Sequence, residues 1–257
     1  MEEILDDYRQ PVGNDGPSLE ELHANGFNFD FGKYFNTGWN AMKEDVGQYI
    51  LFTFVAILIL LVSIITIVGP VLIALPLFSG YMTYGRKVLR NEPREFNDFF
   101  GGFKSFGPLV GFTFLMLLGY SVVALPLLLF AGFDAGWFEA IASDPESAAD
   151  IVLTGMLPVQ LAVTLVSIVV QTLLFFAIPL IVIGKLGSIS AIGWSFKIAG
   201  KNFWWILLYI FVVGFIQQGG MLACYIGLLF TVPLAQCLQL GAYADIVGLG
   251  EKNPSTY

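Results

Sequence analysis

Long windows without charged residues constrain this chain more than any other feature of its sequence. No Asp, Glu, Lys or Arg occurs in 46–85, 105–133, 151–184 or 202–244. A helix that crosses a bilayer needs about 20 mostly apolar residues, so each window is long enough for at least one crossing. Charged residues make up only 12% of the chain, against about 25% in an ordinary soluble domain. The windows therefore predict an all-α integral membrane protein.

The lengths of these windows set the number of predicted spans. The first and last windows are each long enough for two crossings. Gly69-Pro70 interrupts the first window, as a tight turn between two helices requires, and a second turn is expected near 225–227. We therefore predict six transmembrane helices arranged as three hairpins. The spans are expected at about 47–68, 70–90, 107–131, 161–184, 203–224 and 227–247. Five spans are the alternative, if the second segment only enters the bilayer.

The distribution of basic residues predicts the orientation of these spans. Lysine and arginine are enriched in cytoplasmic loops of membrane proteins. With both termini inside, all twelve basic residues fall in inner segments or at inner span ends. The one substantial outer loop, 132–150, carries five acidic residues and no base. The asymmetry predicts a multi-pass protein of the inner (cytoplasmic) membrane with both termini in the cytoplasm.

Short amphipathic segments precede the first, third and fifth spans. In 96–106 five phenylalanines fall at helical spacing, and 31–42 and 192–199 show related patterns. Aromatic rings and amphipathic helices are typical of membrane surfaces. We predict short interfacial helices on the cytoplasmic side, and docking surfaces for a partner protein are the alternative. The candidate interfacial anchors are Trp39, Phe99, Phe103, Trp194, Phe196, Trp204 and Trp205.

A few polar side chains lie inside the predicted spans. The candidates for intramembrane polar contacts are Gln171, Gln217, Gln218, Gln236, Gln239 and Asp245. Glutamines in spans hydrogen-bond between helices, line a path for a polar substrate or recognise a partner within the membrane, and all three alternatives stay open. Folding the last hairpin is expected to bring Gln218 to roughly the depth of Gln236. Asp245 is expected near the cytoplasmic end of the sixth span, where water, Lys87 or Lys201 would satisfy it.

No set of residues has the pattern of a catalytic, cofactor-binding or metal site. The single histidine, His23, lies among acidic residues near the N-terminus, so no Ser-His-Asp or Cys-His set can be assembled. Cys224 and Cys237 lie in apolar sequence and are expected to be buried thiols. No basic cluster of the nucleic-acid-binding kind occurs. The sequence therefore predicts a protein that is not an enzyme, holds no cofactor or metal, and has no nucleic-acid partner.

The first and third predicted hairpins resemble each other. Gly38-Trp39 precedes the first and Gly193-Trp194 the third, 155 residues later. Pro76 then corresponds to Pro233 after a two-residue insertion. Both hairpins start inside, so a duplication would be parallel. Chance similarity between apolar sequences is the alternative explanation.

Three regions follow from these patterns. Half of the twenty acidic residues lie in the first 45 positions. We expect an acidic, flexible cytoplasmic tail over 1–33, a membrane domain over 34–248 and a short cytoplasmic C-terminus over 249–257. Within the tail, Leu19, Leu22 and 27–31 could dock as a short segment onto a basic partner. A disordered solubilising tail is the alternative.

The order of motifs resembles a known group. An amphipathic Trp/Phe segment precedes a hairpin interrupted at Gly69-Pro70, a Phe-rich stretch over 99–104 follows, and Ser195-Phe196-Lys197 precedes the last hairpin. Over about 34–248 this resembles the bacterial membrane-protein group of YciC-like proteins and the membrane domain of some glycerophosphodiester phosphodiesterases. The resemblance implies a bacterial inner-membrane protein and carries no catalytic signature.

Two functions are compatible with the sequence. The first is a non-enzymatic protein that acts by association, as a scaffold, accessory subunit or assembly factor of a membrane complex. Its partners would be the lipid bilayer and other membrane proteins, in a homo- or hetero-oligomer. The alternative is a small transporter or lipid-handling protein, with a polar path lined by glutamines of the fourth to sixth helices.

Overall fold

The computed structural model describes residues 17–66, 68–130, 157–222 and 226–249, and every regular element in these ranges is helical. The chain forms two compact units. One consists of Met1–Thr113 with Thr172–Tyr257, and the other is Phe114–Gln171. The predicted all-helical fold is confirmed for the described residues. Residues 1–16, the whole predicted outer loop 132–150, Cys224 and the last eight residues lie outside them.

Eleven α-helices and two 3-10 helices make up the described ranges. They are α1 Leu19–Asn25, α2 Phe31–Glu44, α3 Val46–Ser63, a 3-10 turn Ile64–Thr66, α4 Gly69–Phe78, α5 Gly80–Leu89, a Phe-rich 3-10 helix Phe96–Ser105, α6 Phe106–Phe130, α7 Leu157–Leu173, α8 Ala177–Val182, α9 Ser188–Lys201, α10 Phe203–Leu222 and α11 Leu228–Ile246.

Three of the described helical stretches are long and apolar enough to cross a membrane. They are Val46–Thr66, Phe96–Leu129 and Phe203–Met221. They correspond to α3, to the Phe-rich helix with α6, and to α10, close to the first, third and fifth predicted spans. Length and apolar composition are what a bilayer requires of a spanning helix. The structure is therefore that of a helical protein with several membrane-spanning candidates.

The second and fourth predicted spans are each divided into two helices. The first of them ends at Phe78 and restarts at Gly80, four residues after Pro76. The other is interrupted between Leu173 and Ala177, just before Pro179. A proline inside a helix lacks the N–H that would bond to the carbonyl four residues earlier, and its ring crowds that turn. The missing bond explains the break before Pro179, whereas Pro126 and Pro233 lie inside continuous helices.

In three helices, which we call the core helices, more than half of the residues are buried: α5, α8 and α11. Each has an amphipathic element packed on it. The helix α2 packs on α11, the Phe-rich helix on α4 and α5, and α9 on α8. The predicted amphipathic segments therefore do form helices, but their apolar faces contact protein. On α2 the buried face consists of Tyr34, Gly38, Ala41 and Met42.

Close backbone contact explains the tight packing of α2 on α11. A Cβ atom on Gly38 would lie 2.5 Å from the Cys237 carbonyl oxygen, and one on Gly241 would lie 2.5 Å from the Tyr34 carbonyl oxygen. Both helices thus present a glycine where the other helix's backbone passes. Small residues at such crossings are typical of helix pairs in membranes.

The internal repeat is clearer in the structure than in the sequence. The bounds of α2 and α9 are 157 residues apart (Phe31 to Ser188, Glu44 to Lys201), and each helix is followed by a one-residue break. The two breaks have similar backbone angles, φ −141° and ψ 42° against φ −126° and ψ 37°. The same offset relates Pro76 to Pro233 without an insertion. The predicted register of 155 residues is therefore wrong by two residues.

Burial follows the same offset. On α2 and α9, and then on α3 and α10, buried positions recur as pairs: Tyr34 and Ala191, Gly38 and Ser195, Ala41 and Ile198, Met42 and Ala199, and Phe52 and Tyr209. Chance similarity in apolar composition does not place buried side chains at matching positions. The repeat is a property of the packing.

The N-terminal segment from Pro17 onwards is bound to the rest of the chain. Ser18 and Glu21 form a capping box that starts α1. Leu19 and Leu22 are buried, and α1 contacts α9. Asn202 then donates a hydrogen bond of 2.7 Å to the Phe27 carbonyl. The described part of the predicted tail therefore contacts the rest of the chain, which covers Leu19 and Leu22.

Candidate functional site

The break between α7 and α8 is held by polar side chains from two other helices. Pro179 cannot donate to the Phe175 carbonyl, and the Gln239 side chain of α11 donates to that oxygen instead, at 2.6 Å. The Ser195 hydroxyl of α9 donates to the Leu173 carbonyl at 2.7 Å and accepts from the Phe176 N–H at 3.1 Å. Buried backbone groups left without partners destabilise a fold. Gln239 and Ser195 therefore replace the hydrogen bonds that the break removes.

The other candidate glutamines are not gathered at this break. Gln217 is half-buried and Gln218 exposed on α10, while Gln236 is half-buried on α11. A Cβ atom on Gly220 would meet Gly227 and Thr231, which sets the register of α10 against α11. Gln218 then lies beside the first turns of α11. Measured along the helix axis, this is roughly 7 Å from the level of Gln236, at 1.5 Å per residue. The expected common depth of these two side chains is therefore wrong.

Gln171 belongs to the second compact unit, Phe114–Gln171, and its side chain is exposed. Gln239 thus has a defined interhelical contact, with its amide bound to a carbonyl of the chain. For Gln239 the structure supports the hydrogen-bonding alternative.

Asp245 is paired with a lysine that the sequence did not single out. Its carboxylate forms an ion pair with Lys33 of α2. Hydrogen bonding to Asp245, and then its charge, raise the pKa of Lys33. Lys87, one of the expected partners, instead pairs with Asp98 at 2.7 Å. The packing of α2 on α11 brings Lys33 to Asp245, and this long-range contact has no local sequence signal.

A cavity of about 370 Å³ lies beside this ion pair. Its walls are α1, the loop 26–28 and the end of α11. Two carboxylates, Glu21 and Asp245, reach it. Glu21 accepts the Ser18 N–H at 2.9 Å and Asp245 binds Lys33, so both already have partners. Within the described residues, His, Cys, Asp and Glu form no group of three that could hold a metal ion.

The candidate anchor Phe99 lies in an aromatic cluster that we define as Tyr49, Phe52, Tyr81, Tyr84 and Phe99. Its ring stacks on Tyr84 with centroids 3.9 Å apart and on Phe52 with centroids 4.4 Å apart. Its exposed fraction is 0%. A ring without exposed surface cannot contact lipid. The expected interfacial role of Phe99 is therefore replaced by packing between the Phe-rich helix, α3 and α5.

The remaining candidate anchors fall into three groups. Trp194 is buried, with the Lys197 ammonium 4.4 Å from its ring centroid, a cation–π contact. Trp39 and Phe103 are half-buried. Phe196, Trp204 and Trp205 are exposed, at the junction of α9 and α10. These last three side chains are accessible to a membrane interface or a partner.

No family model matches this chain, and neither does any curated protein or solved structure. The resemblance to the YciC-like group stays a prediction.

Proposed function

We propose that this chain is a multi-pass protein of the bacterial inner membrane that acts by association, without enzymatic activity. It would serve as a scaffold, accessory subunit or assembly factor of a membrane complex. Its six spans would be α3, α4 with α5, α6, α7 with α8, α10 and α11. The breaks at Ser79 and at 174–176 are compatible with this arrangement, because non-helical backbone at membrane depth is tolerated where it is covered by protein.

The distribution of charge supports the proposed orientation. Lys33, Lys87, Lys104 and Lys185 lie at or beyond helix ends, and the positive-inside rule assigns such residues to the cytoplasmic side. The acidic segment 132–150 would face outwards. Both termini would then be cytoplasmic.

The exposed surface of α6 is the observation that carries the proposal of association. In its most apolar stretch only 6% of residues are buried, against 22% for the stretch containing α3 and 17% for that containing α10. Leu118, Val122 and Leu129 are exposed by 63%, 65% and 73%. Exposed apolar patches of this size on a folded chain mark contacts with lipid or with another protein. Of these three candidate spans, α6 is the one that its own chain covers least, and it is the preferred place for a partner helix.

Site-specific photo-crosslinking in native membranes tests this proposal. Val122 on α6 and Val62 on α3 are a matched pair, since both are valines exposed by 65% and 67%. A photoreactive residue at Val122 is expected to give discrete protein adducts, several-fold more than the same residue at Val62. Adduct formation that is equal at the two sites, or with lipid alone at both, would contradict association through α6.

A further inference from the structure

A residue with a left-handed backbone conformation follows each of the three core helices, and its type differs from helix to helix. Each helix is followed by a residue with positive φ: Asn91 after α5 (51°), Lys185 after α8 (57°) and Gly248 after α11 (95°). In each case a nearby backbone N–H returns to the last turns of the helix: Glu92 to Lys87 at 3.0 Å, Leu186 to Leu180 at 3.1 Å, and Gly248 to Tyr243 at 3.2 Å. Asn91, Lys185 and Gly248 thus each adopt a positive φ two or three residues after the end of a core helix.

Lysine is an unfavourable residue for this backbone conformation. Glycine adopts positive φ without a Cβ clash, and asparagine is several-fold enriched there. Lys185 is preceded by Gly184 and followed closely by Gly187, so glycine is available in this segment and does not occupy the left-handed position. Strained positions of this kind cluster at functional sites. The strain alone does not identify a ligand. The groups around Lys185 indicate which kind of ligand would fit.

Two further cations lie on elements that contact α8. The helix α8 contacts both α5, which carries Arg86, and the Phe-rich helix, which carries Lys104. The Ser188 hydroxyl donates to the Pro108 carbonyl at 2.6 Å and holds the segment after Lys185 against the start of α6. Burial, and then the charges of Arg86 and Lys104, lower the pKa of Lys185. Among the described residues, the charged groups that act on the Lys185 ammonium are thus both cations.

The setting of this cluster favours a ligand that is both anionic and apolar. Lys104 and Lys185 are exposed residues, and neither forms an ion pair with another described residue. Phe106, two residues after Lys104, and Ile189, four residues after Lys185, are exposed by 40% and 69%. Cations at the headgroup level beside lipid-facing apolar side chains match the two parts of a phospholipid. Basic pockets between helices on the cytoplasmic side are suited to anionic head groups.

We infer that Lys104 and Lys185 form a binding site for the phosphate of an anionic phospholipid in the cytoplasmic leaflet. The bound phosphate would offset the mutual repulsion of the two ammonium groups and retain Lys185 in its strained conformation. Lys104 before α6 and Lys185 after α8 would be held together by one headgroup. The inference rests on the membrane setting proposed above.

Lipid binding is measured with the full chain in a neutral detergent, by native mass spectrometry and by thermal unfolding. Phosphatidylglycerol is expected to raise the midpoint of unfolding of the wild type, whereas phosphatidylcholine and inorganic phosphate at equal ionic strength are not. Lys185→Gly is expected to unfold at a higher temperature than the wild type without lipid, because it removes both the strain and the repulsion. It is also expected to bind phosphatidylglycerol about fivefold more weakly, as is Lys104→Gln.

Asn91→Gly is the matched control, since it places glycine at another positive-φ position without changing the charge. It should keep the full response to phosphatidylglycerol. An unchanged lipid response in Lys185→Gly and Lys104→Gln, equal stabilisation by phosphatidylcholine, or an equal effect of inorganic phosphate would overturn the inference. A chain that stays soluble without detergent would instead contradict the membrane setting, so the two failures are distinguishable.

Discussion

Gly80→Ala is expected to destabilise the protein by more than about 3 kcal/mol, at the upper end of the effects of overpacking. A Cβ atom at Gly80 would overlap with the carbonyl oxygen of Phe99. The obstacle is backbone of the Phe-rich helix and not the end of a flexible side chain, so it cannot move aside without separating that helix from α5. Thermal unfolding in detergent, followed by tryptophan fluorescence, measures the loss.

Gly200→Ala is the control for this substitution. Gly200 is also helical, and a Cβ atom there would meet nothing within 4 Å. Alanine is favoured over glycine inside a helix by roughly 0.5–1 kcal/mol, so the midpoint of unfolding should stay the same or rise. Equal behaviour of Gly80→Ala and Gly200→Ala would show that the Phe-rich helix does not contact α5 as described.

Phe99→Ala is expected to destabilise the protein by about 3–5 kcal/mol, the usual range for a buried phenylalanine. Its ring has no exposed surface and contacts Phe52 and Tyr84 face to face. The neighbouring rings belong to α3 and α5, so the cavity would open where three elements meet. The same unfolding measurement in detergent applies, because the loss does not depend on a bilayer.

Phe196→Ala is the comparison for Phe99→Ala. The Phe196 side chain is exposed by 40%, and its truncation in detergent should cost well under half as much. If Phe99 were an interfacial anchor, both substitutions would lower the stability in detergent only slightly. A loss below about 1 kcal/mol for Phe99→Ala would therefore restore the interfacial interpretation.

Charge-free windows predicted the long helices well, because a membrane-spanning helix requires only a continuous apolar stretch, which is visible in the local sequence. The predicted spans 107–131 and 203–224 correspond to α6, Phe106–Phe130, and α10, Phe203–Leu222. Uninterrupted apolar sequence is sufficient to specify such a helix, whatever the rest of the chain does.

The core helices and their polar contacts could not be predicted in the same way. Pro179 indicates a missing hydrogen bond, but only the folded chain shows that Gln239, 60 residues later, replaces it. Asp245 lies 212 residues after Lys33, and their pairing depends on how α2 packs on α11. Long-range contacts of this kind leave no periodic pattern in the sequence.

Phe99 and the N-terminal segment show a second limit. An amphipathic pattern tells which side chains are buried together, but it does not distinguish burial in lipid from burial against protein. Phe99 therefore looked like a surface anchor. Leu19 and Leu22 looked exposed because acidic residues surround them, yet the capping box at Ser18 folds them into a helix that covers α9.

Cysteine accessibility in intact cells tests the proposed membrane arrangement most directly. In a variant with Cys224→Ala and Cys237→Ala, single cysteines would replace Ser143, in the predicted outer loop, and Asn40, which is exposed on α2. A membrane-impermeant maleimide is expected to label the cysteine at 143 in intact cells and the cysteine at 40 only after permeabilisation. Labelling of position 40 in intact cells, with protection of position 143, would contradict the orientation. Labelling of both positions in intact cells would place them on the same side and would contradict an odd number of crossings between them.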